Sequence, residues 1–370
     1  MEYSNKKQYR VRLNEAAHKY KWLAKILTFV KYYSLAWNKE LNAQLEQEIR
    51  HYRPNFNQNR SQLAKLKKDM IYSRMAYLIK YQQYFIFDFA RLSDAGRREY
   101  VGEYEKKQLT YALHEKTQAW KKFKDKYLAY QTFQKYYRRE IIKIADETDK
   151  ETFCIFVRNH RKYMLKAIDK AEGQDIFRIE PNSFEESALD ALFSQALHHA
   201  PCIIEEIIQQ DEETAKFHPF SVNTVRILTY RKEDRLIKLF AIFRIGCGGS
   251  HVDNAGAGGI AALIDLKTGI IETGGFRENG SFCLNHPDTG VQIIGASVPR
   301  WTELLYLVEE LAEIVPEQKY VGWDLALTPD GWCMVEGNDR AMFTAVQMCR
   351  GRGIRKEIEA AFGTGEYQND

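Results

Sequence analysis

The sequence predicts an α+β protein whose first part is helical and basic and whose remainder mixes strands, helices and glycine turns. Three observations carry this. Charge is divided: residues 1–150 hold 32 Lys/Arg against 17 Asp/Glu and residues 151–370 hold 22 against 33, so a net charge of +4 conceals parts of about +15 and −11. Chain breakers are divided at the same place, since the first 150 residues contain only Gly96, Gly102 and Pro54, leaving twenty glycines and seven prolines for the rest. Long helices can run where breakers are few. Hydrophobic spacing changes as well, from helical periodicity in KWLAKILTFVKYYSLAW and DMIYSRMAYLIKYQQYFIFDF to short apolar runs of strand length.

With 370 residues, 45% hydrophobic and 28% charged, the chain is expected to be soluble and globular, with room for two or three domains. Neither the N-terminus MEYSNKKQYRVRLNEAAHKYKW nor any later stretch has the apolar run of a signal peptide or membrane span, so a cytoplasmic location is expected. Six scattered cysteines form no Cys-x-x-Cys pair and no Cys/His cluster at zinc spacing, and are read as reduced thiols. The basic helices invite nucleic acid or an anionic membrane surface as partner. The charges are dispersed and no nucleic-acid fold motif occurs, which favours instead helices with solvated basic faces and buried aromatics.

In chain order, strands are expected at IIKIA (141–145), YMLKAI (163–168), CIIEEII (202–208), TVRILTY (224–230), IKLFAIFRIG (237–246), AALIDL (261–266), 321–327 and 332–337, with helices at about 185–199, 300–315 and 340–349. Lys166 sits in an otherwise apolar strand, where a lysine needs an anionic partner or must reach water at the edge. The following AEGQD turn can bring backbone amides towards the same anion. CIIEEIIQQDEE reads as a strand entering an acidic turn, able to offer backbone groups to a purine and a carboxylate to a ribose, or simply a solvated acidic loop. Arg226 and Arg244 lie in two neighbouring apolar strands and present fixed forks of donors suited to carboxylate or phosphoryl oxygens, with structural ion pairs as the rival reading. After Arg244 comes GCGGSHVDNAGAGGIAALID, glycine-dense but neither a Walker A loop nor a dinucleotide fingerprint. His218, His251 and His286 show no catalytic partners in the sequence.

The last strands carry the sharpest signal. In VGWDLALTPDGWCMVEGNDR, Thr328-Pro329-Asp330-Gly331-Trp332 suits a three-residue hairpin loop, with Gly331 left-handed. Thr328 then opposes Trp332, Ala326 opposes Met334, Asp324 opposes Glu336 and Gly322 opposes Asn338. Asp324, Glu336 and Asn338 share one face; Trp323, Leu325, Leu327, Cys333 and Val335 share the other and read as core. Opposed carboxylates repel unless one is protonated or a cation lies between them. Oxygen ligands suit a hard cation such as magnesium.

In order, these pieces resemble the ATP-grasp superfamily, and in particular its sugar-transfer-associated branch, through HPFSVNTVRILT, FRIGCGGSHVDNAGAGGIAALID, HPDTG, VPRW and VGWDLALTPDGWCMVEGN. The resemblance covers roughly residues 120–345. It implies an ATP-grasp fold, two α/β subdomains sandwiching ATP, divided as a helical basic region 1–120, subdomain 1 at 121–210 and subdomain 2 at 211–370. It further implies ATP and magnesium as cofactors, with Asp324, Glu336 and Asn338 as metal ligands and Lys166 on the phosphates. The hinge Glu205, Glu206, Ile207 and Ile208 would face adenine, and one acid among Asp211, Glu212 and Glu213 would take the ribose, here assigned to Glu212. Arg226, Arg244 and Asn254 would serve the acceptor carboxylate or transferring phosphoryl group. Lys126 and Lys143 both stay open as a second phosphate lysine, and Asp339-Arg340 replaces the Pro-Gly of glutamate-ligase relatives. The implied chemistry is an ATP-dependent carboxylate–amine ligase using an acyl phosphate, tied by its branch to polysaccharide biosynthesis and acting on a glycan precursor or peptide. The alternatives are an ATP-grasp kinase acting on a hydroxyl, and a non-catalytic basic binding module with a degenerate ATP-grasp domain.

Overall fold

The computed structural model describes residues 16–56, 59–114, 117–168, 176–249, 253 and 258–363. Asn254, His251 and the AEGQD turn lie outside these residues. The chain forms two compact units, one of residues up to 112 with 276–282 and 342 onward, the other of 113–275 with 283–341.

The first unit is helical, as the scarcity of breakers predicts. Its helices Lys21–Ser34, Lys39–Tyr52, Arg60–Tyr77, Tyr81–Ile86 and Glu103–His114 are joined by Thr344–Arg350 and Arg355–Phe362 from the far end of the chain. Asn38 and Asn59 cap the second and third by accepting from Leu41 N and Gln62 N, at 3.0 and 2.8 Å. The core gathers Met70, Ile71, Tyr77, Tyr84, Phe89 and Tyr100. Arg97 forks onto Asp69 at 2.7 and 2.8 Å, and Tyr84 Oη donates to the same carboxylate at 2.6 Å. The C-terminal helices are tied in by polar contacts: Gln347 exchanges two hydrogen bonds with the Val101 backbone at 2.8 and 3.0 Å, and Arg355 donates to Glu105 and to Tyr100 O. A Cβ on Gly353 would stand 2.0 Å from the Glu99 carbonyl group. Gly353→Ala should therefore cost about 1–3 kcal/mol by forced overpacking, read as a lower Tm.

The second unit holds both sheets. Strands β1 (Ile141–Ile144), β2 (Tyr163–Ala167), β3 (Ile176–Ile179) and β4 (Cys202–Glu206) make an antiparallel sheet in the order β1-β4-β2-β3, covered by helices Lys150–Asn159 and Glu186–His198 through Phe153, Phe156, Val157, Leu189 and Phe193. The second sheet runs β11-β10-β5-β6-β7-β8-β9, built from β5 (Thr224–Lys232), β6 (Arg235–Ile245), β7 (Ile260–Ile264), β8 (Gly275–Phe276), β9 (Phe282–Cys283), β10 (Tyr320–Thr328) and β11 (Gly331–Asn338). On one of its faces Val225, Ile227, Ala241, Phe243, Trp323 and Leu325 pack with helix Trp301–Ile314 and with Phe133 and Tyr137 of helix Lys126–Tyr137. β3, β8 and β9 are strands the sequence reading lacked; they are short and carry little alternation.

The final hairpin corrects one expectation and keeps another. Thr328 pairs with Gly331 and Leu327 with Trp332, so the loop has two residues, not three. Gly331 is left-handed at φ +117° but belongs to the ladder. This shifts the near end by one residue and turns Trp332 and Met334 into the core, where Cys333 and Val335 had been expected. The larger pair buries more apolar area, which decides the register. A bulge then absorbs one residue between Met334 and Glu336, and Asp324↔Glu336 and Gly322↔Asn338 pair as expected.

Candidate active site

The face of the larger sheet opposite its core carries the charged residues singled out above. Arg226 pairs in register with Asp324, which pairs with Glu336, placing arginine and two carboxylates in one row across β5, β10 and β11. Arg244, two positions along β6 from the Arg226 partner Ile242, shares this face. Asp324 is 1% exposed and held from three directions. Arg226 Nε donates to Oδ1 at 2.6 Å, Arg226 Nη2 to Oδ2 at 2.5 Å, and Arg244 Nη1 to Oδ2 at 2.7 Å. Burial pushes the Asp324 carboxyl up, but the two guanidiniums outweigh it and hold it below its ordinary range.

Arg244 also reaches Asp253, Nη2 to Oδ1 at 3.1 Å, and Thr224 Oγ1 donates to the other Asp253 oxygen. The Asp253 carboxyl is pushed up by burial, which exceeds the pull of Arg244, and the Asp324 charge adds to the rise. Asp253 is thus the softer of the two acids and the one that gains a proton first.

Glu336 is exposed, and Asn338 Nδ2 donates to its Oε1 at 3.0 Å while lying 3.5 Å from Asp324 Oδ2. The amide hydrogens of Asn338 thus face both carboxylates; turned about its terminal bond, the same group offers its oxygen. The donor set is two carboxylates and one amide, all oxygen, and a carboxylate has about four acceptor sites, so Asp324 can serve its arginines and still contribute. These residues fit a hard divalent cation such as magnesium. Among the described residues a different group, Cys247, His286 and Asp288, brings three Cys/His/Asp ligand atoms within 4.8 Å of one another. Its members are engaged in closing loops: His286 Nε2 donates to Gly246 O at 2.8 Å, Asp288 N donates to His286 Nδ1 at 3.3 Å, and Gly248 N donates to Asp288 Oδ2 at 2.6 Å. His218 is likewise fixed, between Ser221 Oγ and Gly248 O.

The residues expected around ATP's base and phosphates lie on the smaller sheet and the chain leaving it. Lys166 on β2 forms an ion pair with Oε1 of Glu205, which is 4% exposed. Arg139 donates to Glu205 Oε2 from Nη2 at 3.0 Å and from Nε at 3.3 Å. Burial pushes the Glu205 carboxyl up, and Lys166 and Arg139 together bring it down to about 2. Arg139 continues to the hairpin bulge, with Nη1 donating to Met334 O at 2.7 Å and Nη2 to Val335 O at 3.4 Å. β4 ends at Glu206, whose N–H donates to Glu140 O, and Ile207 and Ile208 follow as half-buried residues outside the strand. Asp211 spends its carboxylate capping helix Glu212–Ala215, and Glu213 pairs with Lys216 at 2.7 Å. The Glu212 side chain is exposed at the start of that helix. Lys126 Nζ donates to Ala167 O at 2.8 Å, and Lys143 stands on β1 opposite Ile203.

The structure therefore brings together Arg226, Arg244, Asp324, Glu336 and Asn338 in one group and Lys166 with Glu205 in another. Two residues the sequence reading lacked join them. Arg139 had no local mark, being one more arginine in a strongly basic region; Asp253 stood in a glycine-rich loop where carboxylates are ordinary.

A family model described as sugar-transfer associated ATP-grasp matches residues 96–361. No curated protein matches the chain. Among solved structures it is similar to D-alanyl-alanine synthetase A from Vibrio cholerae, at 10% identity over 66% of each chain with a TM-score of 0.42. It is also similar to the N5-carboxyaminoimidazole ribonucleotide synthetase purK in its ADP complex, at 11% identity over 66% of this chain and 52% of that one, TM-score 0.42. A third is the ATP-grasp ligase PsnB with a minimal precursor, at 12% identity over 85% of this chain and 74% of that one, TM-score 0.41. The chain thus spans 66% and 52% of the lengths of the first two.

Proposed function

This chain belongs to the sugar-transfer associated ATP-grasp family, and on that premise we propose that it is an ATP-dependent carboxylate–amine ligase working through an acyl phosphate. The substrate class we assign is an amino acid joined to a glycan precursor or peptide. The observation that carries the reading is the row Arg226–Asp324–Glu336, with Arg244 and Asn338 beside it, on one face of the larger sheet. A bare acidic face would repel itself; here guanidiniums and oxygen ligands are interleaved as a phosphoryl group and its counter-cation require.

In the proposed reaction the acceptor carboxylate attacks the γ-phosphorus, ADP leaves, and an amine displaces phosphate from the acyl carbon to give the amide. Arg226 uses Nε and Nη2 on Asp324, so Nη1 is left to meet an oxygen of the acceptor or of the moving phosphoryl group. Arg244 is held from both sides by Asp324 and Asp253, which fixes its charge without substrate. Magnesium, bound by Asp324, Glu336 and Asn338, would supply the charge that neutralises phosphate oxygens. Lys166 would reach the phosphates by exchanging Glu205 for them, and Glu212 would accept from the ribose hydroxyls.

Hydroxylamine in place of the amine tests the intermediate. Incubated with ATP, magnesium and a panel of amino acids, peptides and sugar acids, the protein should yield a hydroxamate from at least one carboxylate. A phosphorylated hydroxyl product with no hydroxamate would select the kinase reading instead. Nucleotide binding is tested without turnover. At about a hundred times its dissociation constant a non-hydrolysable ATP analogue with magnesium should stabilise the protein by about 2.7 kcal/mol, a Tm rise of several degrees. In Glu336→Gln the magnesium-dependent part of that rise should vanish; no rise in the wild type would sink the nucleotide-site reading.

A further inference from the structure

Helix Lys21–Ser34 has one face packed on its own unit and one facing outwards. Ala24 and Thr28 are buried, and Leu23 and Leu27 are half-buried in the first unit's core, against helix Arg60–Tyr77. On the opposite side Trp22, Ile26, Phe29 and Tyr33 follow one another at spacings of four, three and four, a single stripe along the helix, with Val30 at its edge and Trp37 just beyond its end. Their exposures run from 51% for Ile26 to 73% for Trp37. Phe29 and Tyr33 touch, ring centroids 4.4 Å apart, so the stripe is continuous. The sequence reading took these aromatics as buried. With Tyr20 they are seven of the seventeen exposed large hydrophobics among the described residues, inside a window of eighteen residues. Scattered apolar residues on a surface need no explanation, but a concentration of this kind marks an interaction site.

The charge around the stripe indicates what covers it. From Ala16 to Asn38 there is no Asp or Glu, while Lys19, Lys21, Lys25 and Lys31 all fall in that stretch. Lys25 is exposed and lies between Trp22 and Phe29 on the helix surface, three residues from one and four from the other. Lys21 pairs with Asp94 at 2.5 Å. A second copy applied through the same face by a two-fold axis would set these lysines against each other with no acid in the stretch to neutralise them. Aromatic rings bordered by lysines are instead the composition of a helix lying at a lipid–water boundary, where rings sit at headgroup level and ammonium groups meet anionic headgroups. No described helix is long and apolar enough to cross a membrane, so the contact is peripheral.

We infer that Lys21–Ser34 docks the protein on an anionic lipid surface, with Trp22, Ile26, Phe29 and Tyr33 in the boundary layer and Lys19 and Lys25 on the headgroups. In a flotation experiment, the full chain should bind vesicles of phosphatidylcholine containing roughly 30% phosphatidylserine and release from them as salt is raised from about 0.1 to 0.5 M. Vesicles of phosphatidylcholine alone should bind it far less. Trp22→Ser with Phe29→Ser should weaken binding at least about tenfold, and Lys25→Gln about fivefold. Both ring substitutions are at exposed positions, so the Tm should stay near the wild-type value. Tyr306→Ser, which removes a comparably exposed ring from the second unit, should leave binding unchanged. Failure of the wild type to float with anionic vesicles would overturn the assignment, as would equal binding by the double variant. A concentration-dependent dimer that the double variant dissolves would give the stripe to a second copy instead. None of these readouts involves the nucleotide, so they stand or fall apart from the ligase reading.

Discussion

Arg226→Met should lower stability by about 3 kcal/mol and abolish turnover. The substitution keeps the length and apolar stem of the side chain but leaves Asp324, 1% exposed, with Arg244 as its remaining guanidinium. Removing one partner of a buried ion pair costs about 3–5 kcal/mol because the other charge stays desolvated; the surviving Arg244 bond puts this case at the low end. The Tm should fall by about 6–12 °C. The pH dependence has a definite sign. Because the folded protein holds the Asp324 carboxyl below its ordinary 3.8, the pair contributes fully above that value and is lost as pH falls through the folded one. In Arg226→Met the carboxyl moves up, so acid unfolding, followed by circular dichroism, should begin at higher pH than in the wild type. An unchanged Tm would mean that Asp324 does not depend on Arg226.

How far such a site can be read from sequence depends on how local its geometry is. Asp324, Glu336 and Asn338 are related by a single hairpin, and hairpin register follows from turn residues and alternation; even so, the turn was one residue shorter than expected and the site positions agree because a bulge restores the register. Trp332 and Met334 decide that shift through buried area, a tertiary quantity. Arg226 and Arg244 stood out because charge inside an apolar strand is conspicuous, whereas their sharing a face with Asp324 appears only in the folded sheet. Their partner Asp253 did not stand out, since a carboxylate in a glycine-rich loop is unremarkable until the loop is placed. The strand order β11-β10-β5-β6-β7 joins segments about a hundred residues apart, and nothing local encodes it. The same limit applies to the outward stripe of helix Lys21–Ser34. Periodicity reveals that the helix has apolar residues on more than one side, while only the packing of its neighbours shows which side is left in the open.

Arg139→Met is expected to have the largest effect on stability, about 3–5 kcal/mol, because Arg139 does two jobs in one buried place. It is the second cation on Glu205, and it supplies donors to Met334 O and Val335 O at the bulge. Loss of the guanidinium leaves Glu205 with Lys166 alone and leaves the bulge carbonyls without their donor, each unmade buried bond adding to the cost. Glu205 should report this directly. In the wild type its carboxyl is held at about 2 against an ordinary 4.5, so its stabilising contribution is complete above about 4.5 and disappears as pH falls towards 2. With one of its two cations removed the folded-state value rises, the window narrows, and the acid-unfolding midpoint moves up. Glu205→Gln combined with Arg139→Met separates the two jobs: the double variant should recover the part of the loss due to an unpaired carboxylate and keep the part due to the bulge carbonyls. A double variant no more stable than Arg139→Met would assign the whole effect to the bulge. The bulge is also what brings Glu336 opposite Asp324, so Arg139→Met should weaken the magnesium-dependent Tm rise with the ATP analogue, although Arg139 bonds to neither Asp324 nor Glu336. An Arg139→Met protein that kept the full magnesium-dependent rise would show that the hairpin register holds without it.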